Sequence, residues 1–166
     1  FVYIGILGLS PSAYGLAMAT GSGSYLLGTL VCRRWIAQHG MAGTVARGAG
    51  FTLASGLLLA GLALAGVHSL WAVLLPQWLY AFGHGMHQPC GQTGAVGPFP
   101  RHAGAASALA GLVLALVAFG VGRWLGAALN DSLLPYALCI ALFSVLTATV
   151  AWTLVRRLPA PPGAAV

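Results

Sequence analysis

Five long stretches of this sequence, residues 13–32, 49–67, 70–97, 104–129 and 133–155, hold between them one charged side chain, Arg123. No other feature constrains the fold as strongly. The hydrocarbon core of a bilayer is crossed by about 20 apolar residues of α-helix, and all five runs have that length. None shows the period-two alternation that a membrane β-barrel requires. Only 5% of the chain is charged, against roughly 25% in soluble domains, so there is too little charge to coat a surface facing water. The expected class is therefore an all-α integral membrane protein with five complete transmembrane helices. Residues 1–9 are apolar but too short to span, and they end at Ser10-Pro11. The first residue is Phe, so the expectation is a chain that begins partway through a sixth helix. No basic segment precedes the first run, which argues against a signal peptide.

The charges that remain give an orientation. There is no Lys, and six of the seven Arg lie in alternate connections: Arg33, Arg34 and Arg47 in 33–48, Arg101 in "GPFPRHAG", and Arg156 and Arg157 after the last run. The other connections, Ser10-Pro11, His68-Ser69 and Asn130-Asp131, contain none. By the positive-inside rule the Arg-bearing side is expected to be cytoplasmic, together with the Pro- and Ala-rich tail 156–166. A net charge of +6 from so few arginines, each at the end of an apolar run, does not make the basic face that nucleic acid needs. Trp35, Trp71, Trp124 and Trp152 fall towards segment ends, where aromatic belts are expected.

With Asp131 as the single acid, hydrolytic and phosphoryl-transfer chemistry lack their usual carboxylates. The sequence also holds no phosphate-binding loop and no nucleophile–base pair. The expectation is a protein that is not an enzyme and uses no cofactor. Cys32, Cys90 and Cys139 lie in separate apolar segments and are expected to be packing residues.

The run 70–97 differs from the rest. On a helical wheel with His84 at zero, Gln77 falls near about +20°, Gln88 about +40°, Tyr80 about −40° and His87 about −60°. Leu79, Phe82 and Met86 lie opposite. His84 is midway along the run, and polar side chains at that depth belong on the bundle interior or a water-filled cavity. Pro89 cannot donate to the carbonyl of Gly85, so a local kink is expected. Four readings compete for this stripe: hydrogen bonds to neighbouring helices, contact with a substrate, a proton relay through His84 or His87, and a metal site. The metal site is disfavoured, because Cys90 is rotated away from the two histidines and no carboxylate completes the ligand set. Lining a cavity leads, with Gln77, Tyr80, His84, His87 and Gln88 as its residues.

Two runs carry small residues along one face. Gly21, Ser24 and Gly28 belong to the first, and Ser107, Gly111 and Gly122 to the fourth; such faces allow close helix packing in lipid. Arg123 lies about seven residues, or roughly 10 Å, inside Asn130. It either snorkels to the interface, pairs with Asp131, contacts an anionic group of a substrate, or contributes with Asp131 to an outer gate.

Residues 88–111, "QPCGQTGAVGPFPRHAGAASALAG", resemble the tenth-to-eleventh helix region of the Bcr/CflA drug-resistance branch of the major facilitator superfamily. Pro89, Gly94, Phe99-Pro100, Ala103-Gly104 and Ala106-Ser107-Ala108-Leu109 carry the likeness. Residues 7–30, "LGLSPSAYGLAMATGSGSYLLGTL", are similar to that family's junction of the seventh and eighth helices. The resemblance implies the C-terminal six-helix half of a twelve-helix exporter in a bacterial inner membrane, built of inverted repeats. It further implies small-molecule or drug substrates, proton antiport, membrane lipid around the helices, and an N-terminal six-helix half as partner. The two small-residue faces would then form the seam against that half. An exporter of an amino acid or sugar derivative is the alternative within the superfamily; outside transport, it is a membrane structural or regulatory protein. The family's coupling acids belong mainly to the N-terminal half, and the linker 33–48 lacks the acid of the superfamily's loop motif.

Overall fold

The computed structural model describes residues 2–128 and 132–157. A π-helical turn, Val2–Ile6, is followed by α1 (Pro11–Leu64), α2 (Leu70–Val96), a 3-10 turn at Pro100–His102, α3 (Ala103–Ala128), α4 (Leu134–Thr153) and a final 3-10 turn at Val155–Arg157. Among the described residues there is no strand, so the chain is all-α. The tail 158–166 and Asn130-Asp131 lie outside the described residues.

The expected linker 33–48 is helical instead. Its arginines mark where an apolar run ends, but Arg, Trp, Ile, Ala and Gln all sustain a helix, and no proline interrupts them. A straight helix of 54 residues would run about 81 Å, far longer than a bilayer core. The break falls at Gly40, whose φ of 68° and ψ of 174° only glycine adopts readily. It divides α1 into a first limb, residues 11–39, and a second limb, residues 41–64, which gives five helical rods in all.

The other ends follow local sequence signals. Ser10 caps α1 by accepting from the Ala13 N–H at 3.2 Å, with Pro11 in the first turn. Ser69 does the same for α2 through Ala72 N–H at 3.1 Å. After the second limb, Gly66 takes φ 71°. Its N–H donates to Ala63 O and that of Val67 to Leu62 O, a Schellman stop.

Two hydrophobic clusters hold α1, α2 and α4 together, one at each end. Val2, Tyr3, Ala17, Leu59, Val73, Leu74, Leu133 and Ala137 form the first. Cys32, Val45, Ala49, Met86, Cys90, Ala148 and Ala151 form the second. The flanking residues of the second cluster are Arg33, Arg34, Arg47, Arg156 and Arg157, so these arginines gather at one end of the bundle. At that end Trp152 Nε1 donates to Ala46 O at 2.9 Å, joining α4 to the second limb.

Helix α2 lies between the two limbs of α1, and glycines set the approach. A Cβ added at Gly28 would fall on the carbonyl oxygen of Phe82, and one at Gly85 on that of Tyr25. At Gly83 it would lie 2.6 Å from Gly48 O. Met86, on the apolar back of α2, is fully buried beside Gly48. In contrast, α3 contains no buried residue.

Five spans were expected, whereas three helical stretches are long and apolar enough to cross a membrane: Pro11–Leu64, Pro100–Ala128 and Leu134–Arg157, with mean hydropathies of 1.4, 2.2 and 2.2. The first contains both limbs of α1. Helix α2 is long enough but not apolar enough, because its glutamines, histidines and glycines dilute it.

Candidate functional site

All five stripe residues, Gln77, Tyr80, His84, His87 and Gln88, are half-buried on α2. Three of them have one polar atom each engaged by a neighbouring helix. Tyr136 of α4 donates to Gln77 Oε1 at 3.0 Å. Tyr25 of the first limb donates to Gln88 Oε1 at 2.6 Å. Thr52 of the second limb places its Oγ1 3.1 Å from His87 Nε2. That hydroxyl also donates to Gly48 O at 3.1 Å. One hydroxyl hydrogen serves one acceptor, so the arrangement suits a His87 that carries its proton on Nε2 and donates to Thr52.

His84 is placed differently. Its ring lies 6.1 Å from Tyr80 in a stack, 5.9 Å from Tyr25 and 5.2 Å edge-on from His87. Its Nδ1 is buried without a hydrogen-bond partner among the described residues. Such a group costs about 1–3 kcal/mol if nothing pairs with it. Three rings thus surround an imidazole whose Nδ1 is paired by no described residue.

Helix α2 stays helical through Pro76 and Pro89. The carbonyl that Pro89 leaves without its usual donor, Gly85 O, is approached by Thr29 Oγ1 at 3.4 Å. That hydroxyl is closer to Tyr25 O, at 3.1 Å, so the Gly85 carbonyl receives the weaker share of its hydrogen.

The small-residue faces divide. Ser24 donates to Trp78 O at 2.7 Å and Gly28 abuts Phe82, so both are occupied by α2 within this chain and not left open for an outside seam. Gly21, Gly111 and Gly122 have open space around the Cβ position, and Ser107 is exposed. Arg123 is exposed on α3; its expected partner Asp131 lies outside the described residues.

Sequence reasoning missed the partners. Tyr25, Thr52 and Tyr136 were not singled out, because a lone hydroxyl in an apolar run gives no sign of what it meets. It also missed a recess of about 350 Å³ towards the Leu133 end, whose lining includes Tyr3, Tyr14, Gln77, Gly122 and Tyr136. The Tyr3 hydroxyl is buried there without a partner among the described residues. Cys32 and Cys90, expected only as separate packing residues, have their sulfurs 3.7 Å apart. Among the described residues no three His, Cys, Asp or Glu side chains come together as a metal group.

The interhelical bonds make a direct prediction. In a double-mutant cycle of Tyr25→Phe and Gln88→Leu, unfolding in mixed micelles should give a coupling of about 0.6 kcal/mol and no more than about 1.7, the range found between membrane helices. Zero coupling would mean that the pair is not formed in the membrane.

No family model, curated protein or solved structure matches the chain.

Proposed function

We propose that this chain is the C-terminal half of a secondary transporter of the major facilitator superfamily, exporting small amphiphilic molecules across a bacterial inner membrane. The observation that carries the proposal is His84: a half-buried imidazole midway along the most polar helix, surrounded by three rings, with Nδ1 unpartnered. A stripe that served only packing would pair that nitrogen as it pairs Gln77 Oε1, His87 Nε2 and Gln88 Oε1. The residues proposed to touch substrate are therefore Tyr80 and His84. Gln77, His87 and Gln88 set the orientation of α2 around them. Absence of charge on this face suits neutral or weakly basic molecules with an aromatic portion.

The proposal places the arginine-bearing end in the cytoplasm, and an N-terminal six-helix half against the open faces of α1 and α3. Helix α3 supports this. Leu109, Leu112, Leu114, Leu116 and Phe119 are 55–71% exposed, and an apolar surface of that extent needs lipid or protein against it. Proton antiport comes from the family resemblance alone, with coupling acids in the other half.

The test is transport by the intact protein in efflux-deficient cells, across a panel of dyes and drugs. His84→Ala should weaken substrate binding roughly fivefold or more, since one net hydrogen bond is worth about 1 kcal/mol. Tyr80→Ala should act in the same direction, while Gln92→Ala, on the exposed end of the helix, should not. Unchanged efflux of every compound by a correctly inserted His84→Ala protein would leave packing as the stripe's only role.

A further inference from the structure

We propose that a recess beside Arg33 and Arg34 binds the phosphate headgroup of an anionic phospholipid, with one acyl chain lying along the first limb of α1. This rests on the chain spanning a membrane, but not on its being a transporter. The recess has a volume of about 520 Å³ and is lined by Leu27, Leu30, Val31, Arg33 and Arg34.

Three observations select the occupant. First, among the described residues the guanidinium groups meet no acid. Among the described residues no ion pair forms. The sequence holds a single acid, Asp131, which lies outside the described residues. Second, the neighbouring arginine is engaged while these two are not. Arg47 lies 5.9 Å over the Trp35 ring and donates to Gly43 O at 3.0 Å, whereas Arg33 and Arg34 are exposed and donate to no described side chain or carbonyl. Two adjacent, uncompensated guanidiniums attract an anion, and their planar donor forks match phosphate oxygens.

Third, the recess continues into an apolar track. Leu27 and Leu30 are 59% and 58% exposed. Spacings of three and four residues place Leu27, Leu30 and Arg34 on one side of the helix. From Leu27 to Arg34 the rise is about 10 Å, so a headgroup held at the arginines lays its chain over the two leucines. A free phosphate would use only half of this surface. Basic recesses at the cytoplasmic ends of membrane helices take anionic headgroups for the same reason.

The experiment measures lipid retained by the detergent-solubilised chain, using phosphatidylglycerol and phosphatidylcholine with identical acyl chains. Phosphatidylglycerol should be preferred. Arg33→Gln with Arg34→Gln should weaken its retention roughly 30-fold, from about 1 kcal/mol for each arginine. Arg156→Gln with Arg157→Gln, at the same end of the bundle, should leave it within about twofold. Equal losses from the two double variants would reduce the effect to general surface charge and overturn the proposal. Leu27→Ser with Leu30→Ser, both on an exposed surface, should also weaken phosphatidylglycerol severalfold. No change would remove the acyl track, and with it the lipid. Full displacement by millimolar inorganic phosphate would likewise show an adventitious ion only. Co-flotation of each variant with phosphatidylcholine vesicles reports membrane insertion separately, so a failed lipid site and a failed membrane reading give different results.

Discussion

Gly28→Val should lower the stability of the helical bundle by about 3 kcal/mol or more. A valine side chain at residue 28 would overlap the Phe82 carbonyl oxygen. Phe82 C and Cα would lie 3.0 and 3.1 Å from the new Cβ. All three are backbone atoms of a packed helix, so no rotamer change relieves the overlap; the first limb of α1 and α2 must separate. Overpacking a well-filled core costs about 1–3 kcal/mol even where side chains can adjust, and here they cannot. Separation would also stretch the Ser24–Trp78 and Tyr25–Gln88 hydrogen bonds on the same contact. Gly85→Val should behave alike, since its Cβ would meet the backbone of Tyr25. The opposing gain, from lower backbone freedom in the unfolded chain, is only about 0.5–1 kcal/mol, so sterics decide the sign. Gly111→Val is the contrast: its Cβ meets nothing within 4 Å, and its unfolding midpoint should stay close to the parent's. Denaturation in mixed micelles, followed by circular dichroism, would separate these cases. Similar midpoints for Gly28→Val and Gly111→Val would contradict the close approach.

Gly40→Val should be nearly as damaging, through backbone strain. At φ 68° and ψ 174° a glycine is almost the only residue tolerated; other residues cost about 1–3 kcal/mol there, and β-branching adds to the crowding. The variant therefore either loses about that much stability or relieves the strain by continuing the helix. The second route cannot preserve the bundle. Both limbs pack on α2: Gly28 and Tyr25 from the first, Gly48 and Thr52 from the second. A straight α1 would carry one limb away. Spin labels at the exposed Leu26 and Leu58 distinguish the outcomes. In the parent they should lie well short of the separation of about 48 Å that 32 residues of straight helix would put between them. A Gly40→Val protein with unchanged stability and unchanged label distance would show that the break in α1 does not depend on this glycine.

The positions of most rods follow from hydrophobic runs, since burial in hydrocarbon depends on composition over about 20 consecutive residues. Ser10, Ser69 and Gly66 stop or start helices by chemistry within one turn, and Ser10-Pro11 and His68-Ser69 were expected as connections. Residues 33–48 were not expected to be helical, because arginine signals a membrane boundary and says nothing against a helix. The polar stripe was visible from its spacing alone. Its division was not: Gln77, His87 and Gln88 are tied to α4 and the two limbs of α1, and His84 is left in its cage of rings. Tyr25 and Gln88 are 63 residues apart, and no local pattern connects them.

By itself the sequence determined an all-helical apolar chain, the clustering of arginines in alternate connections, and one polar face on one helix. Each of these depends only on residues within a run or beside its end. The tertiary structure decided which polar atoms are satisfied. It also decided that Ser24 and Gly28 face α2, and that Cys32 lies against Cys90. Those outcomes depend on the axial offset and rotation of one rod against another. The contacts at Gly28, Gly83 and Gly85, where there is no side chain to yield, fix both.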